Sequence, residues 1–328
     1  MRTILILILL GLVASCAVIP KGQMNNSKSQ KISVGLGPED MVLDTLSSSN
    51  PCLLVACDSR RVKMASGWIY KVDLKTHDTS KIKRMNEPAN LVFHPHGIDL
   101  VRLKNGDLRI LIVSHDDASN QQAILQYRWD GDVLWFEKEW KDPILVSPND
   151  VCGDQEGRIF VGNEFKKRGS IISPILGMKN GNVMCFENGK AFIVARKFCY
   201  TNGLATNEKQ FFVAATRSPH IYSFEKNGNQ LTKRTKLCKV KGADNFFLSG
   251  NNLYVVCHLR NFAFIKHVKN AAQTSPTVIY KIDISTGKKT CVYSNTDGTI
   301  NGASTAIEYN GKLYLCQVFE PFVLRIDY

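Results

Sequence analysis

A stretch of about fifty residues recurs six times between Gly37 and the C-terminus, and nothing else in the chain limits its fold as tightly. One set of short segments ends in an acidic or polar turn: "IYKVDLKT" from Ile69, "ILQYRWDGD" from Ile124, "NVMCFENGK" from Asn182, "IYSFEKNG" from Ile221, "IYKIDISTG" from Ile279 and "VLRID" from Val323. An apolar run stands just upstream of each, as in "CLLVAC", "GRIFVGN" and "NNLYVVC". Before each of those comes a segment with a polar opening: "GPEDMVL", "HPHGIDLV", "SPNDVCG", "YTNGLAT", "GADNFFL" and "NGASTAI". Repeats rich in β-branched and aromatic residues and punctuated by Gly, Asn and Asp read as one four-stranded sheet each. Six such sheets set radially make an all-β fold, a six-bladed β-propeller with four-stranded antiparallel blades around a central channel. No long, well-capped helical period is present, and strands do not alternate with helices, which excludes a doubly wound sheet. Residues 31–328 read as one domain, preceded by a short linker over 16–30.

The first residues, "MRTILILILLGLVASC", read as an export signal over 1–15, with Arg2 as its positive end. Its apolar run, Ile4 to Val13, is short for a membrane span. "VASC" resembles a bacterial lipobox, so Cys16 is the candidate lipid-modified first residue of an envelope lipoprotein. Ordinary cleavage nearby and retention as an anchor are the alternatives. The chain holds 42 Lys and Arg against 29 Asp and Glu, for a net charge of +13. The excess is dispersed and not interleaved with aromatics, which speaks against a nucleic-acid partner and for a basic solvated surface that favours anionic membranes. Nine cysteines follow Cys16, an odd number with no CxxC among them. Several sit inside apolar runs as small hydrophobes, so no dense disulfide framework is expected.

In a propeller the polar openings of the innermost strands converge at one end of the channel. The anchors Glu39, His96, Asn149, Asn202 and Asp244 lie 57, 53, 53 and 42 residues apart, at one phase of the repeat. Glu39, Asn149, Asn202, Asp244 and Asn245 then offer five oxygen-bearing side chains without thiolate or imidazole. Such a hard donor set favours calcium. Asp40 and Asp150 each follow a proposed ligand directly, so on a strand they point the other way, towards a second, structural calcium.

"HPHGIDLVRLKNGDLRILIVSH" places two of the chain's seven histidines at the ends of a hairpin centred on Asn105-Gly106. A two-residue turn there pairs residues whose numbers sum to 211, Leu103 with Leu108 and finally His96 with His115. That register makes His96 and His115 cross-strand neighbours able to share a proton beside the metal ligands. A bulge would break the pairing. His94 receives no role.

These segments together resemble the paraoxonase (arylesterase/lactonase) family of six-bladed, calcium-dependent propellers. The matching stretches are "GPED", "HPHGID", "SPNDV", "TNGLAT", "ADNFFL", "VVCH" and "NGASTA…GKLYL…VF". The resemblance implies that Glu39, Asn149, Asn202, Asp244 and Asn245 hold the catalytic calcium. It implies that Asp40, Asp150 and the Ile98 carbonyl hold the structural one. It makes His96 and His115 the dyad that activates water, and His258 and Phe319 parts of the pocket wall. The expected activity is hydrolysis of lactones and activated aryl esters by a monomer, with phosphotriesters as a side activity. The family's terminal disulfide has no counterpart here, since Arg325 stands at the C-terminal position, so strand pairing must close the ring. The roof segment, 163–182, matches poorly and leaves substrate preference open. A gluconolactonase/regucalcin-type sugar lactonase is the nearest alternative, though the histidine pair argues against it. A metal-free strictosidine-synthase-like propeller and a non-enzymatic surface-binding propeller are the others.

Overall fold

The computed structural model describes residues 17–47, 50–62, 64–116, 118–168 and 176–327. The export signal and Cys16 lie outside them. The chain forms six sheets in a ring. Blade I holds β2 (Pro38–Asp44), β3 (Cys52–Cys57), β4 (Trp68–Asp73) and β5 (Thr79–Lys81), while β1 (Ser29–Ser33) is used elsewhere. Blade II is β7 (Pro95–Arg102), β8 (Leu108–Asp116), β9 (Gln121–Trp129) and β10 (Val133–Trp140), with β6 (Lys83–Met85) added parallel to β10 as a fifth strand. Blade III is β11 (Pro148–Gly153), β12 (Ile159–Asn163), β13 (Gly181–Glu187) and β14 (Lys190–Phe198). Blade IV is β15 (Thr201–Thr206), β16 (Gln210–Ala215), β17 (His220–Asn227) and β18 (Gln230–Lys239). Blade V is β19 (Ala243–Ser249), β20 (Asn252–Cys257), β21 (Thr277–Asp283) and β22 (Lys289–Asn295). Blade VI combines β23 (Ala303–Tyr309), β24 (Lys312–Gln317) and β25 (Phe322–Asp327) with the N-terminal β1.

Second strands such as β3 and β12 are buried along their whole length, because each blade is covered by a neighbour on both faces. That is why they read as unbroken apolar runs. The outermost β18 is mostly exposed and reads as polar.

Strand pairing closes the ring. β1 runs antiparallel to β25, from Ser29 opposite Ile326 to Ser33 opposite Phe322. The segment before β1 packs against the propeller. Met24 is 1% exposed, and the Gln23 and Met24 amides donate to Cys291 and Val292 on blade V. The chain therefore grips blade V before it completes blade VI. The nine described cysteines are unpaired, and eight are buried. One short helix, α1 (Asn261–Lys269), is inserted between β20 and β21. Among the described residues no helix is long and apolar enough to cross a membrane.

Every innermost strand breaks register with its neighbour near its start. The shifts fall at Pro38/Asp40, Pro95/Ile98, Pro148/Val151, Thr201/Leu204, Ala243/Phe246 and Ala303/Ala306. A bulge frees residues from the ladder and re-aims their side chains. This corrects the expected hairpin register. Asn105 and Gly106 belong to a three-residue loop closed by the Leu103 amide on the Asp107 carbonyl, with Gly106 at φ 91°. Arg102 therefore faces Leu108 and Ile98 faces Ile112, one residue out from the expected pairing. The shift after Pro95 moves the register once more, so that Pro95 faces Ser114.

Candidate active site

The six bulges lie at one level of the channel and present six residue pairs: Glu39-Asp40, His96-Gly97, Asn149-Asp150, Asn202-Gly203, Asp244-Asn245 and Ser304-Thr305. Neighbouring strands approach so closely there that two of the pairs need glycine. A β-carbon at Gly97 would stand 2.6 Å from the Asn149 carbonyl oxygen, and one at Gly203 would stand 2.5 Å from that of Asp244.

The two histidines meet despite the corrected register. His115 Nε2 lies 3.1 Å from His96 Nδ1, and the rings stand edge to face with centroids 4.9 Å apart. His96 Nε2 faces Glu39 Oε1 at 3.2 Å, and His115 Nδ1 meets Gln122 Oε1. The chain Glu39–His96–His115–Gln122 has a direction. If Gln122 accepts from His115 Nδ1–H, then His115 Nε2 is an acceptor and His96 Nδ1–H must donate to it. His96 Nε2 then faces the Glu39 carboxylate, a contact that becomes a hydrogen bond once His96 takes up a proton there. Burial holds both imidazoles far below the usual histidine range, helped at His96 by Arg60 and Arg168 and at His115 by His96 and Arg168. Burial thus favours the neutral form of both rings. His94 turns away to Asp58, at 3.2 Å.

The proposed metal ligands fall into linked groups. Asn202 Nδ2 donates to Asp244 Oδ1 at 2.6 Å and to Thr216 Oγ1 at 3.0 Å. Asp244 Oδ2 lies 2.9 Å from His258 Nε2. Asn149 Nδ2 donates to Glu164 Oε1 at 2.7 Å, and Asn245 Nδ2 to Thr305 Oγ1 at 3.0 Å. Each amide nitrogen is therefore committed. The side-chain oxygens of Asn202 and Asn245 are buried with no hydrogen-bond partner. Orphaned buried acceptors are costly unless something fills them, and oxygen donors of this kind suit a hard cation. The residues present thus fit calcium. Among the described residues no cluster of three or more His, Cys, Asp or Glu side chains could hold a metal, because amides supply much of this donor set.

Asp40 and Asp150 point deeper into the channel. Asp40 accepts from the Met41 and Ile98 amides at 2.9 and 2.8 Å, and Asp150 from those of Val151 and Leu204 at 2.8 and 2.6 Å. Burial pushes Asp40 up to about 7. Burial, with the charge of Asp40, raises Asp150 well above the carboxylate range. The amide of Ile98 is engaged here, and its carbonyl remains the atom proposed as a ligand. A cavity of about 670 Å³ opens beneath these two acids, at the end of the channel away from the dyad. Its walls include Asp99, Arg158 and Lys226.

His258 and Phe319 both gather against α1. His258 stacks on Phe264 at 4.4 Å, and Phe319 lies 5.2 Å from the ring of His267. Arg61 covers the other side of Phe319 at 3.9 Å. Sequence reasoning missed Arg60, Gln122, Glu164, Arg168 and Tyr200. Arg60 bonds Glu39 at 2.5 Å and Asp58 at 2.9 Å. The guanidinium of Arg168 reaches His115 at 3.5 Å. Glu164 is raised to about 6 by burial, and Tyr200, which bonds it, is raised chiefly by the charge of Glu164.

Fold and site together define a six-bladed propeller with an oxygen-rich polar centre beside a buried histidine pair. The arylesterase family model matches residues 61–323, and the chain belongs to that family. Serum paraoxonase/arylesterase 2 of Canis lupus familiaris is 24% identical over 260 residues, covering 76% of this chain and 73% of its own. Two solved structures share the fold. A gluconolactonase from Xanthomonas campestris superposes with a TM-score of 0.62 at 14% identity, covering 96% of each chain. The calcium-binding protein regucalcin from Agrobacterium tumefaciens gives 0.60 at 10% identity, covering 94% of this chain and 95% of its own.

Proposed function

We propose that this protein is a calcium-dependent hydrolase of lactones and activated aryl esters, working outside the cytoplasm after export. The observation that carries the reading is the buried, hydrogen-bonded His96–His115 pair set beside amide oxygens that lack any partner. Glu39, Asn149, Asn202, Asp244 and Asn245 are the residues to hold the outer ion, with Asp40, Asp150 and the Ile98 carbonyl around the inner one. The chemistry calcium supplies when bound is polarisation of the ester carbonyl and stabilisation of its oxyanion. His96 Nε2 accepts the proton of the attacking water, and His115 steadies the imidazolium through Nε2. Gln122 fixes the polarity of the pair by accepting from His115 Nδ1. Arg60 orients Glu39 through its bond to Oε2, and His258 does the same for Asp244. His258 and Phe319 close the wall with α1. Family membership favours this reading over a sugar lactonase, whose support is likeness of fold.

The test is turnover by the purified protein on aliphatic, acyl-homoserine and sugar lactones and an aryl ester, with and without chelator. Turnover that chelation abolishes and calcium restores is expected. No turnover on any of them with calcium present would sink the reading and leave a binding propeller.

A further inference from the structure

Five of the six bulges carry a proposed ligand or the base, and the sixth carries only hydroxyls. Ser304 and Thr305 are each 1% exposed. Ser304 Oγ donates to the carbonyl of Glu39, the residue before Asp40. Thr305 Oγ accepts from Asn245 Nδ2 at 3.0 Å and donates to Asp40 Oδ1 at 2.5 Å. A hydroxyl has one proton. Because the Asn245 amide also donates, the Thr305 proton must go to Asp40. The direction of the whole chain is then set, Asn245 Nδ2–H to Thr305 O–H to Asp40. That direction leaves Asn245 Oδ1, buried and without a partner, as a free oxygen of the outer group beside Asn202 Oδ1.

Resting on the calcium reading given above, we propose that Thr305 couples the two cation sites. It joins a residue of the outer group, Asn245, to one of the inner group, Asp40, by two hydrogen bonds through a single oxygen. An ion drawn to ionised Asp40 fixes the Thr305 proton inward. The lone pair of Thr305 then holds the Asn245 amide nitrogen, and Asn245 Oδ1 stays turned to the outer ion. Blade VI supplies no ligand of its own and acts as the strut that lets one site sense the other. Coupling of this kind is reciprocal: the outer ion favours the inner by the same factor.

Calcium titration calorimetry on the chelator-stripped full chain tests this, because it reads affinity without turnover. Wild type should take up two ions. Asp150→Asn, which alters only the inner group, should weaken the outer site as well as the inner. In the Thr305→Val background the outer site should be weaker by about 10–100-fold, the usual cost of losing a ligand-orienting partner. There Asp150→Asn should no longer affect it. Thr305→Ser keeps the hydroxyl and should behave as wild type, and it serves also if the valine variant fails to fold. Two ions in wild type whose outer affinity ignores Asp150→Asn would overturn the coupling alone. So would a serine variant in which the link is lost. Wild type that takes up no calcium would overturn the calcium reading itself.

Discussion

Asp99 stands on β7 one residue beyond Ile98, and its carboxylate accepts from the Gly153 amide at 2.8 Å. Burial raises it from 3.8 to about 6, outweighing the backbone hydrogen bonds that lower it. A carboxyl raised on folding contributes stability that is complete below about 3.8 and is lost as pH climbs through about 6. The gap between those values, at about 1.4 kcal/mol per pH unit, comes to ~3 kcal/mol. The group borders the 670 Å³ cavity, and its residue is half-buried by surface area, so water screens part of the penalty. About half, ~1.5 kcal/mol, should survive. Asp99→Asn keeps the shape and an oxygen for Gly153 but cannot ionise. In chelator the variant should match wild type at pH 4 and exceed it at pH 7.5 by that amount, roughly 2–3 °C in Tm. Thermal unfolding followed by circular dichroism across pH 4–8 measures it. Parallel curves for the two proteins, or a variant weaker at pH 7.5, would refute the claim that an ionised Asp99 strains the fold.

Three further outcomes follow from the same geometry. His96→Gln should lower kcat by about 10²–10⁴-fold with the circular dichroism spectrum unchanged, as expected on loss of a general base. Deleting residues 17–33 removes β1 and uncovers the core contacts of Met24 and Ile32, which are 1% and 4% exposed. The cost is on the order of 5 kcal/mol, comparable to a whole domain's stability, so size-exclusion chromatography should show aggregated material. Because the nine described cysteines are unpaired, a reductant should move Tm by less than about 1 °C, whereas a structural disulfide would cost several kcal/mol.

The propeller was legible because its strongest signal is local: β3 and β12 are covered on both faces, so their sequences are apolar without alternation. The positions of Glu39, Asn149, Asn202 and Asp244 could be read for a related reason, since they recur at one phase of the repeat. What escaped the sequence was geometry that depends on one residue more or less. The Asn105-Gly106 pair fits a two-residue or a three-residue loop equally well, and only the packed sheet chooses between them. His96 and His115 still meet, because the bulge after Pro95 re-aims His96 independently of the ladder below it. The residues that orient the site share a pattern of their own. An antiparallel second strand ends at the mouth where the first begins, so Asp58, His115, Glu164, Thr216 and His258, at or just beyond the ends of β3, β8, β12, β16 and β20, converge on the same centre. Each binds a residue at or beside the bulge of its own blade or the next: Asp58 with His94, His115 with His96, Glu164 with Asn149, Thr216 with Asn202, His258 with Asp244. The ends of the second strands, read at the same phase as the polar openings, therefore carry the partners that orient the site, and a reading confined to the innermost strands finds the proposed ligands without what aims them.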